Sequence, residues 1–197
     1  KEIEYARQLG YRIKLLAAVR RNNSSLDIHV YPTLVPLEHP LASVNYEYNA
    51  LYIKGSAVGE LMLYGKGAGS LPTGSAVLSD VMETAVIIQN RMQIMNSFAS
   101  RYQFMPKAIS SGASAYYIRL QVTDRPGVLG SITTAFGRNG VSLESVVQRG
   151  RGGSSVPLIF VTHEAPWDKL YAALEEIKNL SSVEEVASIL MVHKQSQ

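Results

Sequence analysis

Cysteine is absent from the 197 residues. That excludes a disulfide framework, a thiolate nucleophile and a thiolate-ligated metal centre. A reducing cytoplasm is the compartment such a composition fits. Histidine is scarce, and His29, His39, His163 and His193 stand singly with no metal-ligand spacing. They read as structural or surface groups, with His39 in the loop sequence EHPLASV. No apolar run approaches the roughly 18 residues of a membrane span, and the first residues are not expected to be a signal peptide. Charge of one sign is also missing: a net +3, evenly spread, does not argue for nucleic acid or an anionic membrane.

At 46% hydrophobic and 18% charged, the composition is that of a globular chain with enough apolar residues for one large core or two small ones. The opening, KEIEYARQLG, has no initiator Met and already carries Ile3, Ala6 and Leu9 at helical spacing. The chain is therefore expected to begin inside a domain. Residues 13–63 read mainly as strands: IKLLAAV, LDIHVYPTLV, YNALYIKG and AVGELMLYG are β-branched or aromatic runs broken by Asn-Asn, Pro and Gly. Gly55-Ser56 suits a hairpin turn. A helix is expected next, capped by Ser75, with Val77, Val81, Ala85 and Ile88 in a wide apolar stripe. Residues 96–115 lose periodicity and read as a linker.

After the linker the pattern is regular. Ile118, Leu120 and Val122 alternate with Tyr117, Arg119 and Gln121, as in a half-buried strand. Pro126 suits a first helical turn, Val128, Leu129, Ile132, Ala135 and Phe136 form a stripe, and Asn139-Gly140 ends the helix. Two strands, a helix after Pro166 and a strand over 183–192 follow. The order is βαββαβ, a split βαβ with both helices on one face of the sheet. The same order occurs in RNA-recognition modules. Here YYIRLQV and VPLIFVTHE lack the aromatic motif that stacks bases, so no nucleic-acid role is expected.

Two stretches could carry ligand chemistry. GKGAGSLPTGSA at 65–76 runs glycines into a helix N-terminus, where free N–H groups favour an anion, yet it matches neither the dinucleotide fingerprint nor the P-loop. It is either a tight turn or a ligand contact. DRPGVL at 124–129 also has two readings. Asp124 caps a helix that Pro126 starts, or Gly127 clears a path for a small carboxylate to that helix N-terminus.

Asp124-Arg125-Pro126-Gly127-Val128-Leu129, followed by Asn139-Gly140-Val141-Ser142-Leu143-Glu144-Ser145, resembles an ACT domain, the small module that senses amino acids. LGYRIKLLA, VYPTLVP, HPLASVN, YNALYIKGSAVGELMLYGKGAG and LPTGSAVLSDV resemble, in order, the C-terminal part of homoserine dehydrogenases. The resemblance implies an α+β chain: residues 1–95 a partial antiparallel or mixed sheet with helices from the catalytic and subunit-pairing region, 96–115 a linker, and 116–197 a ferredoxin-like ACT domain. It implies Gly67, Ala68 and Gly69 near the nicotinamide end of NAD(P), with no catalytic residue and no metal in this chain. It implies a regulatory amino acid, threonine first and isoleucine or methionine behind it, held by Asp124, Gly127, Val128, Asn139 and Ser142. It also implies a homo-oligomer of at least two subunits and a cytoplasmic parent enzyme making homoserine from aspartate semialdehyde.

Overall fold

A computed structural model describes residues 1–22, 25–91, 105–107, 112–148 and 155–194. In chain order the elements are α1 (Glu2–Gln8), β1 (Tyr11–Asn22), β2 (Ser25–Pro36), a 3-10 turn (Pro40–Ser43), β3 (Tyr48–Gly55), β4 (Gly59–Lys66) and α2 (Ser70–Gln89). Then come β5 (Met105–Lys107), β6 (Ala113–Thr123), α3 (Val128–Arg138), β7 (Leu143–Gln148), β8 (Ser155–Thr162), β9 (Ala165–Pro166), α4 (Trp167–Lys178) and β10 (Val183–Val192). They gather into two compact units, residues 1–37 with 104–197, and residues 38–103.

The larger unit is built on a sheet of order β1-β2-β10-β6-β8-β7, with β5 beside β2 and β9 beside β6. The last four strands of that order, with α3 and α4, are the expected βαββαβ module. Its core forms where the apolar side of the β6 alternation meets the helix stripes. Ile118, Leu120 and Val122 pack with Leu158 and Phe160 of β8, with Ile132 and Phe136 of α3, and with Leu170, Leu174 and Ile177 of α4. The Phe136 and Phe160 rings lie 5.4 Å apart at 52°, a favourable tilted pair.

β6 is not half-buried. Its second face is covered as well: Tyr117 is fully buried and clusters with Ile159, Val161, Val192, Leu34 and Ala6, against which Tyr5, Leu9, Tyr11 and Ile13 pack. The chain's own N-terminal segment supplies this cover. β2 also pairs in parallel with β10, Thr33 opposite Met191 and Leu34 opposite Val192, and the His193 N–H donates to the Leu34 carbonyl at 2.8 Å. Residues 1–37 thus compact with the βαββαβ module, whereas the sequence division groups them with the segment up to residue 95. Within 96–115, Met105–Lys107 pairs with Ser25–Asp27 and β6 already begins at Ala113. The rest of that stretch up to residue 111 and the basic loop 149–154 lie outside the described residues.

The second unit holds the β3–β4 hairpin, in register from Tyr48–Lys66 to Gly55–Gly59, and α2. α2 begins at Ser70 rather than behind Ser75. Its N-cap is Gly69 at φ 124°, and Pro72 is tolerated because the first turn needs no N–H from it. None of its residues is buried, and Leu71, Val77, Leu78, Val81, Met82, Val86 and Ile88 are all exposed. At 20 residues, with a mean hydropathy of 1.3 over its most apolar stretch of 18, α2 is the one described helix long and apolar enough to cross a membrane. The sequence reading found no such run because Asp80 and Glu83 interrupt it. In a bilayer centre Asp80 alone would cost about 2.5–3.5 kcal/mol.

Candidate functional site

The turn between β6 and α3 is set by glycine. Gly127 lies at φ 88° in the left-handed region, and its carbonyl accepts the Ser131 N–H at 3.0 Å and the Ser131 hydroxyl at 3.1 Å. The helix therefore starts at Val128, with Gly127 as N-cap and Pro126 outside it. No side chain caps this helix, so Asp124 does not do so. A Cβ on Gly127 would meet nothing within 4 Å, so its backbone conformation, more than any steric crowding, calls for glycine. Val128 N–H reaches the Arg125 carbonyl at 3.4 Å, a weak bond. Among the described residues, the N–H groups of Gly127, Leu129 and Gly130 meet no backbone acceptor. A helix start leaves such donors pointing outward, with the positive end of the macrodipole behind them.

Beside this turn lies a cavity of about 370 Å³, at the small end of the range for ligand pockets. Val122, Val128, Val156 and Leu158 give it apolar walls, while Thr123, Asp124, Arg125 and Gln148 bring polar groups to it. Gln148 Nε2 donates to Asp124 Oδ1 at 3.3 Å, so the carboxylate is already oriented by the end of β7. An anion-attracting pole and an acidic group on one small cavity suit a ligand with both charges.

Three of the five residues expected at the seat, Asp124, Gly127 and Val128, line this cavity. Asn139 and Ser142 do not. Asn139 ends α3, 11 residues and about 16 Å from its start. There its Nδ2 donates to the Ala135 carbonyl and to Glu176 Oε2, both at 2.8 Å, tying α3 to α4. Ser142 is exposed just beyond, its carbonyl accepting the His163 N–H. Gln148 and Arg125 were not singled out from the sequence. Gln148 ends a strand without a motif, so nothing local marked it.

The other glycine stretch sits in the second unit. Gly67 N–H donates to the Glu47 carbonyl at 2.9 Å, and a Cβ at Gly67 would fall 1.5 Å from Asn49 Nδ2. A Cβ on Gly67 would have to displace only the tip of the exposed Asn49 side chain, whereas Gly69 is favoured by its positive φ. Ala68 lies between them, exposed, where the loop enters the N-terminus of α2. His39 is buried, its Nδ1 accepts the Leu41 N–H at 3.2 Å, and its ring meets Tyr52 edge-on at 4.7 Å. Burial pushes its pKa down against the opposing pull of Glu60. It is a capping and packing residue. Among the described residues, no group of three or more His, Asp or Glu could hold a metal ion.

The homoserine dehydrogenase family model matches residues 1–82, and the ACT domain model matches residues 116–181. The chain is 38% identical to a homoserine dehydrogenase of Synechocystis over 97% of its length, and 36% identical to one of Bacillus subtilis over 98%. It spans 46% and 45% of those two proteins. A solved homoserine dehydrogenase from Thiobacillus denitrificans superposes with a TM-score of 0.83 at 31% identity, covering 98% of this chain and 44% of that one. Both models fall in the order the motifs predicted, and the relatives align through both: the chain belongs to the homoserine dehydrogenase family and carries an ACT domain.

Proposed function

We propose that this chain is the C-terminal part of an NAD(P)-dependent homoserine dehydrogenase and that its ACT domain senses a free amino acid. The observation that carries the reading is the cavity at the β6–α3 turn, with unpaired helix N–H groups and Asp124 on the same small space. The ligand carboxylate is taken by N–H groups at Gly127, Val128 and their helical neighbours, the ammonium by Asp124, and the side chain by the valine and leucine walls. Threonine is the leading ligand, because it is formed from the homoserine this family makes; isoleucine and methionine follow. Asn139 and Ser142 would reach such a ligand only from a second copy of the chain.

The residues present fit one edge of a dinucleotide rather than a complete site. The Gly67–Gly69 loop brings backbone N–H groups to the start of α2, which has no acidic residue in its first turn to repel an anion. When bound, NAD(P)H supplies a hydride to aspartate semialdehyde. The side chains for proton transfer are expected in the half of the parent not contained here, so this chain alone should neither turn over homoserine nor bind dinucleotide tightly. The uncovered apolar surface of α2 fits packing against that other half, and the chain by itself should self-associate.

The test is a titration of the full-length parent, assayed for semialdehyde reduction, with threonine, isoleucine and methionine. Saturable inhibition by one of them is expected. If none inhibits and none binds, the sensor reading is wrong. Sedimentation of the present chain at micromolar concentration should give a dimer or larger species, and a strict monomer would contradict the assembly reading.

A further inference from the structure

We propose that the Arg119–Glu2 ion pair is the coupling element between the ACT domain and the rest of the enzyme: it fixes α1 to the strand that bears the ligand turn. The inference rests on the sensor reading above but concerns a different face of the domain. Arg119 lies on β6, three residues before Val122, so about 10 Å of one continuous strand separates it from the cavity. Its side chain emerges on the face opposite α3 and α4. There Nη2 approaches Glu2 Oε1 at 2.5 Å and Nε approaches the same oxygen at 2.7 Å.

This pair is not an ordinary surface contact. The Arg119 side chain is 12% exposed and that of Glu2 28%, and the charges of both act on the hydroxyl of Tyr117, which is buried with Ile159, Val161, Val192 and Ala6. Glu2 begins α1, where a carboxylate also favours the helix dipole, and Ala6, Tyr5 and Leu9 complete the contact with the sheet. α1 thus touches the sensor through one short helix and one charged anchor. A displacement of β6 at the ligand turn shifts the guanidinium that holds Glu2, and α1 leads directly into the residues preceding it in the parent.

A second feature suits a switchable contact. The Tyr117 hydroxyl is buried beside this pair with no hydrogen-bond partner among the described residues. An unpaired buried hydroxyl works against the docked arrangement, so the ion pair and the apolar contact hold α1 with little excess. Elements that transmit a signal need two states close in free energy. A face of nothing but matched apolar groups would hold α1 too firmly to respond.

The experiment uses the full-length parent, with Glu2→Gln, Arg119→Gln and the swap Glu2→Arg with Arg119→Glu. Without ligand, kcat and KM should stay within about twofold of wild type, since neither residue belongs to the catalytic or ligand-binding groups. Threonine binding followed by calorimetry should also persist. The concentration for half-inhibition should rise about tenfold or the maximal inhibition collapse in the single variants, and the swap should restore much of it. Inhibition unchanged in both single variants would overturn the proposal. So would loss of threonine binding in the near-isosteric Glu2→Gln, because the pair would then support the seat itself. A wild-type parent that no amino acid inhibits would refute the sensor reading, and this inference with it, before any variant is compared.

Discussion

Replacing Gly127 by Asn and by Asp separates the backbone demand of the turn from its electrostatic role. Gly127 stands at φ 88°, and a Cβ there meets no atom within 4 Å. Each variant therefore incurs only the cost of a left-handed residue, roughly 1–2 kcal/mol in general and less for Asn and Asp. The new carboxylate of Asp would regain about 0.3–1 kcal/mol from the helix N-terminus, so Asp should be no less stable than Asn. Ligand binding should show the opposite order. A charge about 5 Å from the ligand carboxylate costs about 1–3 kcal/mol for effective dielectrics between bulk water and a protein surface. That is roughly a 5- to 150-fold loss of affinity for Asp, with no such term for Asn. The assay is threonine inhibition of the full-length enzyme beside thermal unfolding of each variant. Equal half-inhibition in the Asn and Asp variants would show that the anionic end of the ligand does not lie at the start of α3.

Three further outcomes follow from the packing. Phe136→Ala should destabilise the ACT domain by about 3–5 kcal/mol in denaturant titration, since Phe136 is fully buried against Phe160; a loss under about 1 kcal/mol would contradict the core described. Gly67→Ala places a Cβ 1.5 Å from Asn49 Nδ2, the tip of an exposed side chain that can swing aside, and should cost no more than about 0.5 kcal/mol, whereas Gly74→Ala, in open space inside α2, should add about 1 kcal/mol of helix propensity. Hydrogen exchange or melting that ranks these two the other way would refute the loop geometry. For Glu2, burial raises the carboxyl pKa, but the Arg119 and backbone hydrogen bonds and the Arg119 charge outweigh it, so the folded value lies below the ordinary 4.5. The contribution of the pair is therefore complete above that ordinary value and lost as pH falls below it through the folded value. The stability gap between wild type and Glu2→Gln should close on acidification, and a gap constant down to about pH 3 would exclude the pair as its source.

Where the sequence spoke locally it was legible. The alternation over 116–122, the stripes of α3 and α4 and the Asn139-Gly140 stop all correspond to observed elements, with Gly140 at φ 70°. Helix starts were harder, for one reason in both places. Ser75 and Pro126 are good start signals in isolation, yet glycine in a positive-φ conformation outside each helix fixed the first turn: Gly69 six residues before the expected cap Ser75, and Gly127 just after Pro126. Glycine signals freedom without saying which conformation it takes. The cover on the second face of β6 was hidden for a different reason. Tyr117 and Arg119 read as the polar side of an alternating strand, but tyrosine buries its ring and arginine its stem, and only the distant α1 and β2 supply the surface that encloses them.

The candidate site shows the same division between near and far. Asp124, Gly127 and Val128 are consecutive or nearly so, and the chain has to bring them together wherever a strand turns into a helix. Asn139 and Ser142 were grouped with them by the motif, yet α3 carries them to its other end, where Asn139 is occupied by Glu176. Gln148 enters instead, because β7 runs antiparallel to β8, which is itself antiparallel to β6, so the end of β7 arrives beside the end of β6. Strand order decides which residues share the cavity, and strand order follows from pairing between segments that are remote in the sequence. If Gln148 orients Asp124 for the ligand ammonium, Gln148→Leu should weaken threonine inhibition while leaving the fold intact, because the side chain is exposed and forms no part of the core. An unaltered titration in that variant would leave the cavity defined by the turn alone.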